Sequence, residues 1–334
     1  MRKKVLVFLL LLFSFVIVGC GKYDESDVVR DLDNKISKLD AYKLDGELEI
    51  VNNDEVYNYD IEVSYKKDNY YKVSLTNVSN GHNQIILKND DGVYVLTPSL
   101  NKSFKFQSDW PYSNSQIYLL KALLNDIKND ESMVFEEKDK GYEITTSVNY
   151  PNNSSLVKQK ILLSKNLKFK SVNVYNTDGV ICMSMKFKDI DYSPIFKDDY
   201  FSLDSIMSTY SVDYDKTMKT ASLEDSIYPL LIPSGTKLTS EEKLQKDVGE
   251  RIILTFDGEK PFLLVEETAN IEDEFTIIPT YGEPYQLMDT LGVMTDNSLT
   301  WTSNGIEYYI VSDVLSQDEL VEIAQSINVL PTMK

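Results

Sequence analysis

The sequence predicts an α+β fold built mainly from antiparallel sheet, and three observations predict it. Apolar and polar residues alternate along most segments after position 40, which is the two-residue period of strands with one buried face. The chain contains 22 Tyr and 13 Phe among 334 residues, and aromatic side chains favour the pleated, half-buried surface of a sheet. Helical spacing is confined to three segments, so helices are expected only as additions to the sheet.

The N-terminus has the pattern of an export signal. Three basic residues at positions 2–4 precede an apolar run from Val5 to Val18, which only Ser14 interrupts. The run has about fourteen residues, whereas a membrane-crossing helix needs about twenty. We therefore interpret residues 1–19 as a cleaved signal peptide.

A predicted lipid attachment site follows the apolar run. The segment Ile17-Val18-Gly19-Cys20 resembles the lipobox of bacterial lipoproteins, in which the cysteine receives diacylglycerol before cleavage. Acyl chains such as palmitate contribute about 0.8 kcal/mol per buried methylene, so a multiply acylated cysteine anchors a protein stably. We expect Cys20 to hold the mature chain on the extracytoplasmic face of the cell membrane.

The charge of the chain excludes one class of partner. Loss of residues 1–19 leaves 31 basic against 53 acidic residues, a net charge of −22. Nucleic-acid binding needs basic residues clustered on one face. We therefore expect no nucleic-acid partner, and we expect membrane contact through the lipid rather than through a basic patch.

The elements of a first domain can be placed in order. The apolar residues Val29, Leu32, Ile36 and Leu39 recur at helical spacing and predict a first helix. Alternation predicts strands at 43–50, 57–66, 71–76, 84–88, 93–97 and 103–106. A capping-box pattern at 113–116 predicts a helix that opens at Ser113 and continues to Ile127. Further strands are predicted at 142–150, 157–163, 167–175 and 180–188.

A second, smaller domain is expected because about 315 mature residues are more than usually share a single hydrophobic core. We place the boundary in the Tyr210–Tyr214 stretch, so that residues 20–212 form the first domain and residues 213–334 a small C-terminal α+β domain. Strands are predicted there at 251–256, 262–268 and 306–311. A capping box that begins at Ser316 predicts the final helix.

Reactive groups are scarce in this sequence. The single histidine, His82, follows Asn80-Gly81 and is expected in a solvated hairpin turn. With Cys20 acylated, Cys182 has no partner for a disulfide, and its alternating surroundings indicate an unreactive strand thiol. Clustered His and Cys for zinc and the acidic spacing of a calcium loop are absent from the sequence. We predict no enzymatic activity, no catalytic residues, no metal and no cofactor.

Several segments resemble a known superfamily. A first helix, many antiparallel strands and an inserted helix, with the segment Val93–Lys102, resemble the LolA/RseB-like superfamily of lipoprotein carriers and envelope sensors. Trp110-Pro111-Tyr112-Ser113 followed by Gln116–Leu120 is similar to the branch of Bacillus and Clostridium lipoproteins tied to spore formation and germination. Three further segments, 231–235, 256–262 and 301–309, resemble a small C-terminal module of unknown function. Together these resemblances cover most of residues 25–330.

The resemblance implies a LolA-like curved half-barrel whose concave face, covered by helices, holds an acyl chain or a partner segment. Trp110, Tyr112 and Tyr118 are candidate binding residues at the rim of that face, and the alternative is that they pack a helix onto the sheet. We expect a non-catalytic binding or scaffold role in spore envelope formation or germination, with an envelope protein or a lipid as partner. The alternatives are a lipid or lipoprotein carrier that holds acyl chains in the cavity, and a regulatory sensor of the RseB type.

Overall fold

The computed structural model of the chain describes most of the sequence after the predicted signal peptide. The described residues are 23–52, 55–108, 110–111, 115–151, 153–213, 223, 225–247, 249–272 and 274–327. Cys20 and Tyr112 therefore lie outside the described residues. No helix among the described residues is long and apolar enough to cross a membrane.

Strands make up most of the described chain and form two open sheets. They are β1 (Ala41–Asn52), β2 (Glu55–Lys66), β3 (Tyr70–Asn77), β4 (Asn83–Asn89), β5 (Gly92–Thr97), β6 (Lys102–Phe106), β7 (Val134–Lys138), β8 (Gly141–Ser147), β9 (Leu156–Ser164), β10 (Phe169–Asn176), β11 (Ile181–Asp191), β12 (Thr236–Gln245), β13 (Glu250–Gly258), β14 (Phe262–Thr268), β15 (Thr276–Thr280), β16 (Glu283–Gln286), β17 (Leu291–Met294), β18 (Ser298–Ser303) and β19 (Ile306–Val311). The first sheet has the order β15-β6-β5-β4-β3-β2-β1-β11-β10-β9-β8-β7, and the second has the order β12-β13-β14-β19-β18-β17-β16.

The centre of the first sheet shows how the alternating pattern fixes the strands. In β1, Tyr42, Leu44 and Leu48 are buried, whereas Asp45 and Glu47 between them face water. One face of the strand therefore packs in the core and the other is solvated, as is usual in antiparallel sheets.

A bulge in β1 requires a glycine. The register between β1 and β11 shifts between Asp45 and Gly46. A Cβ atom on Gly46 would lie 2.4 Å from the Met185 Cε atom and 2.6 Å from the Lys186 carbonyl oxygen. Any larger residue would push β11 away at this point, since real Cβ atoms do not approach so closely.

Helices cover both faces of the first sheet. Helix α1 (Glu25–Ile36) and helix α2 (Leu120–Asn129) pack on one face with the main core. A capping box at Asp24, in which the Asp27 side chain accepts from the Asp24 N–H, fixes the start of α1. Helix α3 (Leu203–Asp213) packs on the opposite face, against alternate residues of β4 and β5.

The N-terminal end of α1 lies at one end of the first sheet. The Tyr23 ring contacts the Tyr142 ring, with their centroids 6.0 Å apart. Tyr142 stands at the beginning of β8, opposite Leu163 near the end of β9. The segment that enters α1 is therefore placed at this end of the sheet.

The second sheet packs against helix α4 (Gln317–Gln325), which starts at the capping box formed by Ser316 and Glu319. Glu266, on β14, is completely buried in this part of the molecule. Its two carboxylate oxygens accept the backbone N–H of Ile227 at 3.1 and 3.0 Å. Burial raises the pKa of Glu266 to about 7.

The chain after residue 213 also joins the first sheet. Strand β15 pairs in parallel with β6, from Thr276 opposite Lys102 to Thr280 opposite Phe106. The Lys102 ammonium forms an ion pair with Glu307 of the second sheet at 3.2 Å. The division into 20–212 and 213–334 stays a prediction, and the structure adds that the two parts share a strand pairing and an ion pair.

The predicted α+β class is confirmed, and all the strands predicted in both parts are present, with ends that differ by a few residues. Ser113, where the inserted helix is predicted to open, lies outside the described residues. The prediction of a helix over 115–119 is wrong, because α2 begins only at Leu120. The Ser115 N–H donates to the Asn149 carbonyl at 2.8 Å, and the Ser115 hydroxyl accepts the Asn149 N–H at 2.9 Å. Ser115 thus binds the chain after β8 and does not start a helix.

The predicted solvated position of His82 is also wrong. His82 is half-buried, and its Nδ1 atom lies 3.4 Å from the Ser99 hydroxyl. Burial lowers the pKa of this imidazole. The side chain is therefore held uncharged near neutral pH.

Candidate functional site

A cavity of about 440 Å³ lies where one end of the first sheet meets the β16–β17 hairpin. Its size falls within the range of ligand sites, which is roughly 300 to 1,000 Å³. It is bounded by the end of β1, the start of β11, the segment 116–118, the turn before β9 and the hairpin itself. Five parts of the chain that are far apart in sequence therefore converge on one space.

The walls contributed by the sheet are mainly apolar. The end of β1 supplies Leu48 and Ile50, and the start of β11 supplies Ile181 and Met183. These residues point into the cavity from two strands that pair directly, with Ile50 opposite Met183. This wall is suited to an apolar group.

Two of the three predicted binding residues line the cavity. Trp110 is buried, its ring contacts Tyr71 edge to face with centroids 5.8 Å apart, and it forms part of the cavity wall. Tyr118 is also buried in that wall, and burial raises the pKa of its hydroxyl. Both are members of the main core cluster, so they pack the core and face the cavity at once. Tyr112 lies outside the described residues.

The hairpin that closes the cavity is fixed to the first sheet by hydrogen bonds. The Gln84 side-chain oxygen, on β4, accepts from the Leu291 N–H at 2.6 Å and from the Thr290 hydroxyl at 3.0 Å. The Tyr59 hydroxyl, on β2, donates to the Met288 carbonyl at 2.6 Å. Gln84 and Tyr59 are both buried, so these hydrogen bonds hold the hairpin in place without competition from water.

Polar groups with unused hydrogen-bonding capacity also line the cavity. The Tyr150 hydroxyl and the Gln286 Oε1 atom are buried and have no hydrogen-bond partner among the described residues. Nearby, burial raises the pKa of Asp126 to about 6, although its carboxylate accepts the Gln159 side-chain N–H at 2.7 Å. A buried polar group without a partner costs about 1–3 kcal/mol, so a ligand that pairs with these atoms would recover that energy.

Cys182 lies in the cavity wall as a half-buried free thiol. Burial raises the pKa of this thiol. Since the thiolate is the reactive form, the environment opposes nucleophilic chemistry at Cys182. Among the described residues, no group of three or more His, Cys, Asp or Glu side chains is arranged to hold a metal ion.

Sequence reasoning missed most of this site. The hairpin residues Pro284–Leu291 and the turn at 153–156 carry no motif that marks them as cavity walls. The one available signal is the alternation along β11, which puts Ile181 and Met183 on the same face of the strand. Their exposure to a cavity depends on the hairpin, which reaches them only through the folded structure.

An apolar cavity with a few unpaired polar groups, closed by a hairpin fixed to an open sheet, is the architecture of a binding protein. The chain is 37% identical over 317 residues to the Sporulation protein YdcC of Bacillus subtilis (strain 168), a match that covers 95% of this chain and 94% of that protein. The chain therefore belongs to the family of this sporulation protein. No family model matches the chain.

Solved structures with a similar fold include MucB and a LolA superfamily protein from Nitrosomonas europaea. The MucB match has 13% identity, covers 92% of this chain and 98% of that chain, and has a TM-score of 0.35. The second match has 12% identity, covers 54% of this chain and 98% of that chain, and has a TM-score of 0.31. The expected resemblance to a sporulation-associated protein is confirmed by the Bacillus relative, and family membership rests on that relative.

Proposed function

We propose that this chain is a lipid-anchored, extracytoplasmic sporulation protein that binds, without catalysis, an apolar group of an envelope partner in the cavity between the first sheet and the β16–β17 hairpin. The observation that carries the proposal is the cavity itself, which combines apolar walls with unpaired polar atoms. The family relationship to a sporulation protein supports the cellular role. That relationship supports a scaffold role in spore envelope formation or germination.

The anchor is the second part of the proposal. A diacylglycerol group on Cys20 keeps the protein on the outer face of the cell membrane, where it raises the local concentration of the binding site. Tethering of this kind makes a weak individual contact effective. Helix α1 begins at Glu25, five positions after Cys20 in the sequence, so the lipid would be attached close to the folded part.

A lipid or lipoprotein carrier is the second candidate function, and a specific observation favours it. The wall formed by Ile50, Ile181 and Met183 is apolar and continuous, and it suits an acyl chain as well as an apolar side chain. In this function the cavity would hold acyl chains that are transferred between membranes. The unpaired Tyr150 and Gln286 atoms favour a ligand that also has polar groups, which is why we place the carrier second.

Filling the cavity tests the proposal. In the native host, Ile181→Trp places a large ring in the cavity, and Leu162→Trp places the same ring on a strand position that is 37% exposed. We expect Ile181→Trp to reduce the number of heat-resistant or germinating spores toward the level of a deletion, at unchanged protein abundance, while Leu162→Trp has no such effect. Equal spore counts for the two variants would refute a role for the cavity.

Two further measurements separate the parts of the proposal. Cys20→Ala should release the protein from the membrane fraction, and a variant that stays membrane-bound would refute lipid anchoring. Binding of a fluorescent fatty acid such as cis-parinaric acid by the purified protein, blocked by Ile181→Trp, would favour the carrier function. Absence of fatty-acid binding together with the spore defect would favour a protein partner.

A further inference from the structure

A run of exposed apolar residues lies beside the cavity and has no role in the core. We call residues 230–232, Leu-Leu-Ile, the apolar strap. Leu230 is 74% exposed, Leu231 41% and Ile232 40%. Consecutive exposed apolar residues are uncommon on a soluble surface and mark interaction sites when they are clustered.

The apolar strap is held in a defined position. The Leu230 N–H donates to the Ser326 carbonyl at 3.1 Å, and the Leu231 N–H donates to the Ser326 hydroxyl at 3.0 Å. Pro229 and Pro233 restrict the backbone on either side. The leucine side chains are therefore presented by a backbone that is already ordered, which lowers the entropy cost of binding.

A groove of about 560 Å³ runs between the apolar strap, one face of α4, the end of β1, the start of β2 and the turn before β9. Its lining includes three acidic residues, Glu55, Asp318 and Glu322, and no basic residue among those described. None of the three carboxylates forms an ion pair with a described basic residue within 4.0 Å. The groove thus combines apolar side chains with three carboxylates that have no basic partner among the described residues, although Asp318 accepts from the Ser154 N–H and hydroxyl and Glu55 accepts from the Tyr57 hydroxyl.

The groove adjoins the cavity. Asn52, Asn153, Ser155 and Gln325 line both spaces. A ligand lying in the groove can therefore insert one side chain into the cavity while its flanking residues stay outside. The negative rim favours positively charged flanks and disfavours an anionic lipid head group.

We propose that the groove binds a peptide segment of a protein partner in which apolar residues are flanked by lysine or arginine. The apolar residues of the segment contact Leu230 and Leu231 and enter the cavity, and its basic residues lie beside Glu55, Asp318 and Glu322. A peptide also supplies the amide N–H and C=O groups that can pair with unpaired polar atoms inside the cavity, which a hydrocarbon chain lacks. This inference rests on the proposed binding function and specifies the class of ligand.

Peptide binding to the full-length, lipid-anchored protein in phosphatidylcholine nanodiscs tests this inference. The probes are three short fluorescein-labelled peptides: leucine alternating with lysine, leucine alternating with glutamate, and serine alternating with lysine. We expect saturable binding of the leucine–lysine peptide, with at least about tenfold weaker binding of the other two, and weakening as salt rises and screens the rim charges. Equal binding of the leucine–glutamate peptide would overturn the proposal.

Matched variants locate the binding. Glu322→Lys reverses an exposed rim charge, and Glu242→Lys makes the same change on the exposed edge strand β12, away from the groove. Leu230→Ser removes an apolar contact, and Leu263→Ser changes an exposed leucine, 38% accessible, on β14. We expect Glu322→Lys and Leu230→Ser each to weaken leucine–lysine binding about three- to tenfold, with no change for the two controls.

The outcomes distinguish this inference from the proposed function. Equal effects of the groove and control variants would overturn the peptide groove. If Ile181→Trp still causes the spore defect when the groove variants behave like their controls, the proposed function of the cavity stands and only the peptide groove is refuted. Binding of anionic phosphatidylglycerol vesicles in preference to all three peptides would replace the peptide by a lipid surface and would also overturn the inference.

Discussion

Replacing Glu266 by Gln should remove a large part of the pH dependence of stability. The carboxyl group of Glu266 has a pKa of about 7 in the folded protein because it is buried, against an ordinary value of 4.5. The folded state therefore keeps a proton that the unfolded chain releases. The stability that this proton provides is fully present below pH 4.5 and is lost as the pH rises through about 7.

The magnitude follows from the two pKa values. Each unit of pKa difference corresponds to about 1.4 kcal/mol. Between pH 5.5 and pH 8, ionisation of Glu266 should lower the free energy of unfolding by about 2 kcal/mol. The Gln side chain keeps an oxygen for the Ile227 N–H and carries no titratable proton.

Urea denaturation at pH 5.5 and pH 8 measures this effect. The control is Glu242→Gln on the exposed edge strand, which should keep the wild-type pH dependence. We expect the wild-type protein to lose about 2 kcal/mol more than Glu266→Gln over this interval. If the two proteins lose the same stability, the buried carboxyl is not protonated in the folded state and the reasoning fails.

Three further predictions concern the cavity. Gln84→Ala should lower the free energy of unfolding by about 2 kcal/mol in urea denaturation, because it leaves the buried Leu291 N–H unpaired. The control is Gln107→Ala at an exposed position, and equal losses of stability in the two variants would contradict the role of Gln84. Cys182 should react with iodoacetamide more slowly than a free cysteine, since burial raises its thiol pKa, and the leucine–lysine peptide should slow it further. If the peptide does not slow the reaction of Cys182 with iodoacetamide, the peptide does not bind beside Cys182 in the cavity. Tyr150→Phe should leave the free energy of unfolding unchanged or raise it by up to about 1 kcal/mol, and it should weaken peptide binding. A large loss of stability would show that the Tyr150 hydroxyl is paired in the folded protein.

Long alternating segments made the first sheet predictable from the sequence. The pattern in β2, where Tyr59, Ile61 and Val63 are buried between more exposed polar residues, follows directly from the two-residue period. Strands β15 and β16 were missed because they are only five and four residues long and contain Pro279 and Pro284, which argue against a strand in a sequence. Strand β17 was missed because all four of its residues are buried, so no alternation is visible.

The cavity could be anticipated only in part. Trp110 and Tyr118 were identified as candidates by resemblance, and both line it. The closing hairpin depends on a hydrogen bond between Gln84 and Leu291, which are 207 residues apart. Such a contact follows from the register of two sheets and leaves no local pattern. Helix α3 was missed although Leu203, Ile206, Met207 and Tyr210 recur at helical spacing, and these residues pack on the apolar face of β4 and β5.

The position of the segment before α1 relative to the cavity constrains the direction from which a ligand can reach the cavity. Tyr23 contacts Tyr142 beside the end of β9, whereas Leu156, at the beginning of the same strand, lines the cavity. The seven steps from Leu163 to Leu156 span about 23 Å, and the three steps from Cys20 to Tyr23 reach about 10 Å at most. If the chain is anchored at Cys20 with β9 roughly perpendicular to the membrane, the cavity would lie at the end of the sheet that is farther from the membrane. The ligand would then reach the cavity from the side of the protein that faces away from the anchoring membrane.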